Sequence, residues 1–367
     1  MTDKKIGVGI IGVQPGRSWA AVAHIPALQA LVGYEITALS TTRIESAKAA
    51  GAAFGVANCY DNHQALVNDP KVDLVAVTVK VPHHRELVMA ALDAGKMVYC
   101  EWPLGNGLDE AVQLADRARN LGIRCAVGMQ ARAAPVIAYV RDLIRDGFVG
   151  EVLSTTLIGN GLAWGPVTDN ANAYTNTRSN GATMLTIPIG HTMDAVCHCL
   201  GEIAEVSATM ANRRKTFLNA ESGETLPLTS EDQVAFSGTL KSGATISLHY
   251  RGGTPRGTGL LWEINGTEGD LQITSFGGHA QIFDLTLSGA RGEQPALAAM
   301  DVPAAYRWSP PKLVGPAVNL AQAFVRFEND LRDGTRSCPD FDDAVVRHRM
   351  IAAIERSAAR GTRETIA

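Results

Sequence analysis

Apolar positions in the first third of the chain fall into short blocks separated by amphipathic stretches. Residues 5–11 form an apolar run that is interrupted by Gly7 and Gly9 and ends at Gly12; it reads as a buried parallel strand. Segments 34–39, 72–79, 96–100 and 123–127 read the same way. Between them, 86–94 and 108–121 have helical periodicity and stop at Gly95 and Gly122, residues suited to a helix C-cap. Ser18 is placed to cap a helix through 19–23. Strand alternating with helix at this rhythm predicts a doubly wound parallel α/β sheet with helices on both faces. Ligands of such sheets bind beyond the carboxyl ends of the strands. Gly12, Ser40, Thr78 and Glu101 all lie at such ends.

From Gly128 onward the pattern changes. A helix over 135–147 opens with proline. Segments 152–158, 233–240 and 244–250 alternate apolar and polar residues, as strands with one buried face do. Segment 261–273 reads as a hairpin with Asn265-Gly266 as its turn, and the chain closes in helices near 316–333 and 341–359. We therefore divide the chain into 1–128 and 129–367, with the last helices free to pack back on the first domain. Between Gly159 and Gly181 lies a loop rich in Asn, Tyr, Trp and Arg. Amides, guanidinium and aromatic rings suit a hydroxyl-bearing ligand, so Asn160, Trp164, Tyr174 and Arg178 are the candidate substrate contacts. The bland alternative is an ordinary surface loop.

Composition narrows the classes. A chain of 367 residues can bury two cores. Its net charge of -4, without a lysine or arginine block, argues against nucleic-acid binding. The first apolar run is too short and glycine-rich for a signal peptide or a membrane span. Six scattered cysteines suit free thiols in a reducing cytoplasm. Cys197-His198-Cys199 is not a metal motif, because ligands two apart on a helix diverge. His191, Asp194 and His198 share a helical face but have no further ligand, so no metal is expected.

Gly7-Val8-Gly9-Ile10-Ile11-Gly12 matches a dinucleotide glycine pattern as text. Gly7 and Gly9 fall inside the strand, where they cannot cradle a phosphate. The working loop is then Gly12, Val13, Gln14, Gly16, Arg17 and Ser18, followed by Trp19, with backbone N–H groups facing a pyrophosphate. After the second strand an NAD site usually carries Asp or Glu. Here Ser40, Thr41, Thr42 and Arg43 offer hydroxyls and a guanidinium, which suit a 2′-phosphate. NADP is therefore favoured over NAD. Thr78, Val79, His84, Glu101, Trp102 and Gln130 complete the candidate cofactor set; the bland reading of His83-His84 is a solvated pair at a helix start.

Segments 9–12, 24–28, 94–101, 128–130 and 190–194 together resemble the Gfo/Idh/MocA oxidoreductases. Segments 16–20, 36–39, 101–102, 159–161 and 190–192 resemble that family's branch of galactose-pathway co-repressors, regulators not known for catalysis. The resemblance implies a Rossmann domain followed by an α/β domain with a large open, mixed and mostly antiparallel sheet. It also implies dimer or tetramer packing through that sheet. It places the family's catalytic lysine at Trp102 and its catalytic aspartate at Ile187, and it retains only the histidine, His191.

Oxidising a hydroxyl requires a base for the departing proton, and histidine has a suitable pKa. His191 is the candidate catalytic base, and Asp194, three residues on, could orient it or touch substrate. Trp102 could stack against the nicotinamide or simply fill the core. Two readings follow. One is an NAD(P)-dependent oxidoreductase acting on a sugar, polyol or sugar acid with an altered active site. The other is a non-catalytic dinucleotide-binding sensor that regulates a protein partner.

Overall fold

The computed structural model describes residues 4–366. They form two compact units, one reaching to Gln130 and including Trp308–Val346, the other comprising Ala131–Arg307 and the segment from Arg347 on. The sequence division ran 129–367 and left the last helices free to pack on the first domain; the apolar stripe of 317–327 lies in the core of the first unit.

In the first unit, strands β1 (Ile6–Ile11), β2 (Tyr34–Ser40), β3 (Asn58–Tyr60), β4 (Leu74–Val77), β5 (Met97–Glu101) and β6 (Cys125–Gly128) pair in the order β3-β2-β1-β4-β5-β6. Every pairing is parallel. Helices α1 (Ile25–Ala30), α2 (Ile44–Phe54), α3 (His63–Val67), α4 (His84–Asp93) and α5 (Leu108–Leu121) connect them. Gly7 and Gly9 serve this packing: a Cβ on Gly7 would lie 1.9 Å from the Lys71 carbonyl oxygen, and one on Gly9 would lie 2.8 Å from Leu66. Their glycines are needed where other elements cross β1, so the text match to a phosphate motif is accidental at these two positions. Phe324 and Phe327, on the returning segment, are buried against Ile10, Leu28 and Tyr34. The Tyr34 hydroxyl donates to the Phe324 carbonyl at 2.8 Å. Burying each such ring contributes about 2–3 kcal/mol.

In the second unit, helices α6 (Pro135–Arg145) and α7 (Gly190–Leu200) accompany strands β7 (Val152–Gly161), β8 (Val167–Thr168), β9 (Ile203–Ala211), β10 (Thr216–Asn219), β11 (Thr225–Pro227), β12 (Gln233–Leu240), β13 (Thr245–Gly252), β14 (Leu260–Gly266), β15 (Gly269–Ser275), β16 (Thr286–Arg291), β17 (Ala298–Ala299) and β18 (Glu364–Thr365). Nine of them form one sheet in the order β17-β16-β15-β14-β7-β13-β12-β9-β18. The β7–β13 pairing is parallel and the others are antiparallel. Strand β13 shows why one face is buried: Ile246, Leu248 and Tyr250 point inward, while Ser247, His249 and Arg251 are exposed. Helices α8 (Pro316–Asp333) and α9 (Phe341–Arg360) end the fold, and the first is part of the first unit.

The hairpin is present, but its turn is not Asn265-Gly266. Asn265 pairs with Asp270 inside the ladder, and Thr267-Glu268 lie at the tip. Gly266 has no positive φ; its missing Cβ makes room for the Val149 carbonyl oxygen, 2.1 Å from where a Cβ would stand. Close approach selected this glycine, and the dipeptide imitates a turn signal.

Candidate nucleotide and hydroxyl-ligand sites

The first unit presents the loop after β1. Gly12 has φ +103°, and a Cβ there would meet Val79 Cγ1 at 2.6 Å, so backbone conformation and space both demand glycine. Gly16 also has positive φ, with open space around it. The Ser18 hydroxyl donates to the Gln14 carbonyl at 3.0 Å and accepts from the Gln14 and Ala21 N–H groups at 2.9 and 3.3 Å. It thereby closes the loop and caps the helix that follows. That helix begins as a π-helical turn, Ala20–His24, before becoming α1. Such turns are rare and concentrate at functional sites. Val13 is buried beneath the loop, while Gln14, Gly16 and Arg17 are exposed. The Trp19 indole Nε1 is buried and has no partner among the described residues.

Thr78 follows β4 and donates its hydroxyl to the Ile11 carbonyl at 2.8 Å, which locks the ends of β1 and β4 together. Ser40 is buried at the end of β2. The Thr41 hydroxyl is engaged with Ser46 at 2.6 Å and donates to the Arg43 carbonyl at 2.9 Å, so it shapes the head of α2. Thr42 and Arg43 are exposed there, and the Arg43 guanidinium has no partner among the described residues.

Glu101 ends β5. Its carboxylate meets His24 Nε2 at 2.7 Å and accepts from Gln130 Nε2 at 2.9 and 3.0 Å. His24 is fully buried, edge-on to Tyr99 and Phe324. The structure thus joins two predicted residues, Glu101 and Gln130, directly, and adds to them a histidine to which the sequence gave no role. Trp102 is buried and precedes a cis peptide bond to Pro103. His84 corrects the solvated-pair reading: His83 is exposed, but His84 is buried, with Nδ1 2.7 Å from the Pro103 carbonyl and Nε2 3.0 Å from the Val79 carbonyl. Burial pushes its pKa down despite those two acceptors. His84 therefore ties the residue after Thr78 to the turn after Glu101.

In the second unit, His191 is the second residue of α7 and is buried. A π-helical turn, Leu185–Ile189, precedes it and carries Ile187 at the family's aspartate position. Asp194 is fully buried. It accepts from Arg132 Nε and Nη2 at 2.6 and 2.7 Å, and Arg347 Nε lies 3.5 Å away. Burial pushes its carboxyl up, but Arg132 and Arg347 outweigh that and hold it below the usual range. Arg347 in turn bonds Glu202 at 2.8 and 3.1 Å. Asp194 is thus engaged by guanidinium groups on the buried side of α7.

The polar loop turns largely inward. Asn160 donates to the Gly253 carbonyl and accepts from Gly278 N–H, both at 2.9 Å. Trp164 is buried and donates Nε1–H to the Thr175 carbonyl at 3.1 Å. The glycines flanking Asn160 are spacers: a Cβ on Gly159 would strike the Tyr250 ring, and one on Gly161 the Trp164 ring. Arg178 pairs with Glu231 at 3.0 Å and Glu355 at 2.9 Å, and Glu231 also accepts from Leu185 N–H. Tyr174 is half-buried, and burial raises its pKa. Of these, Asn160 and Trp164 lie together around the 278–279 segment, whereas Arg178 braces the turn leading to His191. His279, which the sequence reading passed over, is stacked on Trp164.

Among the described residues there is no metal-ligating cluster and no helix long and apolar enough to cross a membrane. Residues 6–129 match the oxidoreductase family with an NAD-binding Rossmann fold, and residues 135–275 match the C-terminal domain of Gal80p. A dehydrogenase, aclE, from Aspergillus oryzae is 31% identical over 98% of both chains. The chain belongs to the Gfo/Idh/MocA oxidoreductase family. Within it, residues 135–275 are of the Gal80p C-terminal type. The galactose/lactose metabolism regulatory protein GAL80 of Saccharomyces cerevisiae is 28% identical over 80% of this chain and 72% of its own. Levoglucosan dehydrogenase, solved with NADH and levoglucosan, shares the fold with a TM-score of 0.84 at 20% identity, covering 99% of this chain and all of the other.

Proposed function

We propose that the protein oxidises or reduces a hydroxyl-bearing carbon of a sugar, polyol or sugar acid with a nicotinamide cofactor, NADP in preference to NAD, in the cytoplasm. His191 carries the reading. It is the one member of the family's Lys/Asp/His set that this chain retains, it is buried at a π-to-α junction, and the chain is a near full-length relative of a dehydrogenase.

The first unit fits a dinucleotide on its own observations. Gly12 admits no side chain, the loop it opens is closed by Ser18, and Trp19 Nε1 is a buried donor without an acceptor among the described residues. The 12–18 backbone would hold the pyrophosphate, and Arg43 would hold a 2′-phosphate by charge-assisted hydrogen bonds. When bound, the nicotinamide supplies hydride transfer. His191 takes the hydroxyl proton in oxidation and returns it in reduction. Trp102 takes the lysine's place with an apolar surface, and Asp194, fixed by Arg132, stabilises the helix that presents His191. The open sheet is the proposed dimer or tetramer surface.

Trp102 and Ile187 together with the Gal80-type half support a second reading, a dinucleotide-binding regulator without turnover. Incubation with NADP+ or NAD+ and a panel of sugars, polyols and sugar acids, followed by product analysis, separates the two. An oxidised product from any compound is the expected result, and none from the whole panel overturns the enzymatic reading.

A further inference from the structure

The second unit contains a polar constellation that the family's Lys/Asp/His set does not include. Gly278 donates its N–H to Asn160 Oδ1 at 2.9 Å, and its carbonyl accepts from the Thr192 hydroxyl at 3.3 Å. The Tyr250 hydroxyl lies 3.1 Å from both the Thr192 hydroxyl and the Gly278 carbonyl. Asn160, Thr192 and Tyr250 are all buried. Gly278 must be glycine, because a Cβ there would come within 2.3 Å of the Asn160 carbonyl oxygen. Thr192 follows His191 and Gly278 precedes His279, so this network fixes the two histidine-bearing segments to each other.

The His279 ring is itself held. It stacks on Trp164 with centroids 6.2 Å apart and planes 22° apart, and it meets Phe283 edge-on at 6.2 Å. Gln281 Nε2 lies 3.5 Å from Nδ1. An amide nitrogen directed at Nδ1 is compatible with the tautomer that carries its proton on Nε2. That Nε2 has no hydrogen-bond partner among the described residues.

We propose that His279 is a ligand-binding residue of the His191 site, whose Nε2–H donates to a hydroxyl of a neutral polyhydroxy ligand beside the hydroxyl on which His191 acts. The inference rests on the proposed function for its ligand class. Burial, with the His191 charge adding to it, pushes the imidazole down to about 3, so His279 remains a neutral, single donor. A neutral donor suits a hydroxyl oxygen better than a carboxylate or phosphate, which call for charge.

The test is calorimetric binding of levoglucosan, D-glucose, myo-inositol and gluconate to the NADP+-loaded protein, comparing wild type, His279→Phe and His279→Gln. Phenylalanine keeps the ring on Trp164 and removes the donor, whereas glutamine keeps a donor. A neutral hydrogen bond corresponds to about tenfold in affinity. We expect His279→Phe to weaken the best neutral ligand about tenfold, His279→Gln to recover most of that loss, and NADP+ affinity to stay unchanged in both. Equal binding by wild type and His279→Phe overturns the assignment. So does failure of every neutral ligand to bind the wild type, or tighter binding of gluconate than of the neutral compounds. Binding that depends on His279 without any turnover would overturn the oxidoreductase reading and leave this inference standing.

Discussion

The loop after β1 and the 159–181 loop are both rich in features that suggest a ligand, yet they are built in opposite ways. In the first, recognition is assigned to backbone N–H groups, and side chains such as Ser18 and Thr78 only hold the backbone in place. In the second, the polar side chains bond the protein itself: Asn160 to Gly253 and Gly278, Trp164 to Thr175, Arg178 to Glu231. A backbone site is written in glycines and strand ends, which depend on local geometry. A side-chain site depends on which way each residue faces, and tertiary packing decides that.

The sharpest way to break this contrast is to remove the side chain given the proton-transfer role in the second unit. His191→Ala should lower turnover on the order of 10²–10⁴-fold, the usual worth of a positioned base, with NADP affinity nearly unchanged by fluorescence titration. Equal loss of both would make His191 structural and erase the contrast.

Next in size is Arg132→Ala, which takes the two shortest bonds from the buried Asp194 carboxylate and leaves it beside Arg347 Nε at 3.5 Å. Removing one partner of such a pair costs about 3–5 kcal/mol, measurable by urea unfolding. The folded pKa of Asp194 lies below its unfolded value. Its contribution is therefore fully present above the unfolded pKa of about 3.9 and is lost as pH falls through the lower folded value. The wild type should lose this contribution only in strong acid, and Asp194→Asn should lack that step in an acid titration.

Gly12→Ala tests the backbone site. Positive φ and the contact with Val79 should cost about 1–3 kcal/mol of strain, read as weaker nucleotide binding with the second unit's unfolding unaltered. The smallest effect expected is that of Arg43→Ala, about tenfold on NADP and little on NAD, since only the 2′-phosphate would lose a charge-assisted bond. An equal effect on both nucleotides would remove the cofactor preference.

The same contrast explains what the sequence made legible. Five of the six strands in the first unit followed from hydrophobic blocks, because a parallel sheet buries both faces, whereas the short β3 with its flanking α2 and α3 carried no such block. Gly12, Ser40, Thr78 and Glu101 were placed at strand ends by the same blocks, and they lie at the ends of β1, β2, β4 and β5. His24 was missed because its partner Glu101 is 77 residues away, and no local spacing links them. His279 was missed for the same reason, since its stacking partner Trp164 lies on a separate segment. Asn265-Gly266 misled because glycine serves close approach as readily as it serves a turn. The return of α8 to the first unit was allowed for, but its amphipathic stripe alone does not say what it packs against.

The central claim is that a chain lacking the family's lysine and aspartate still transfers hydride with His191. The most direct measurement is a single-turnover assay with stoichiometric protein and NADP+ across sugars, polyols and sugar acids, run beside His191→Ala and read at the nicotinamide absorbance. Reduced cofactor should appear in the wild type with at least one compound and not in the variant. A flat wild-type trace, with tight NADP+ binding shown in the same cuvette by quenched tryptophan fluorescence, would contradict it and identify the protein as a nucleotide-binding regulator.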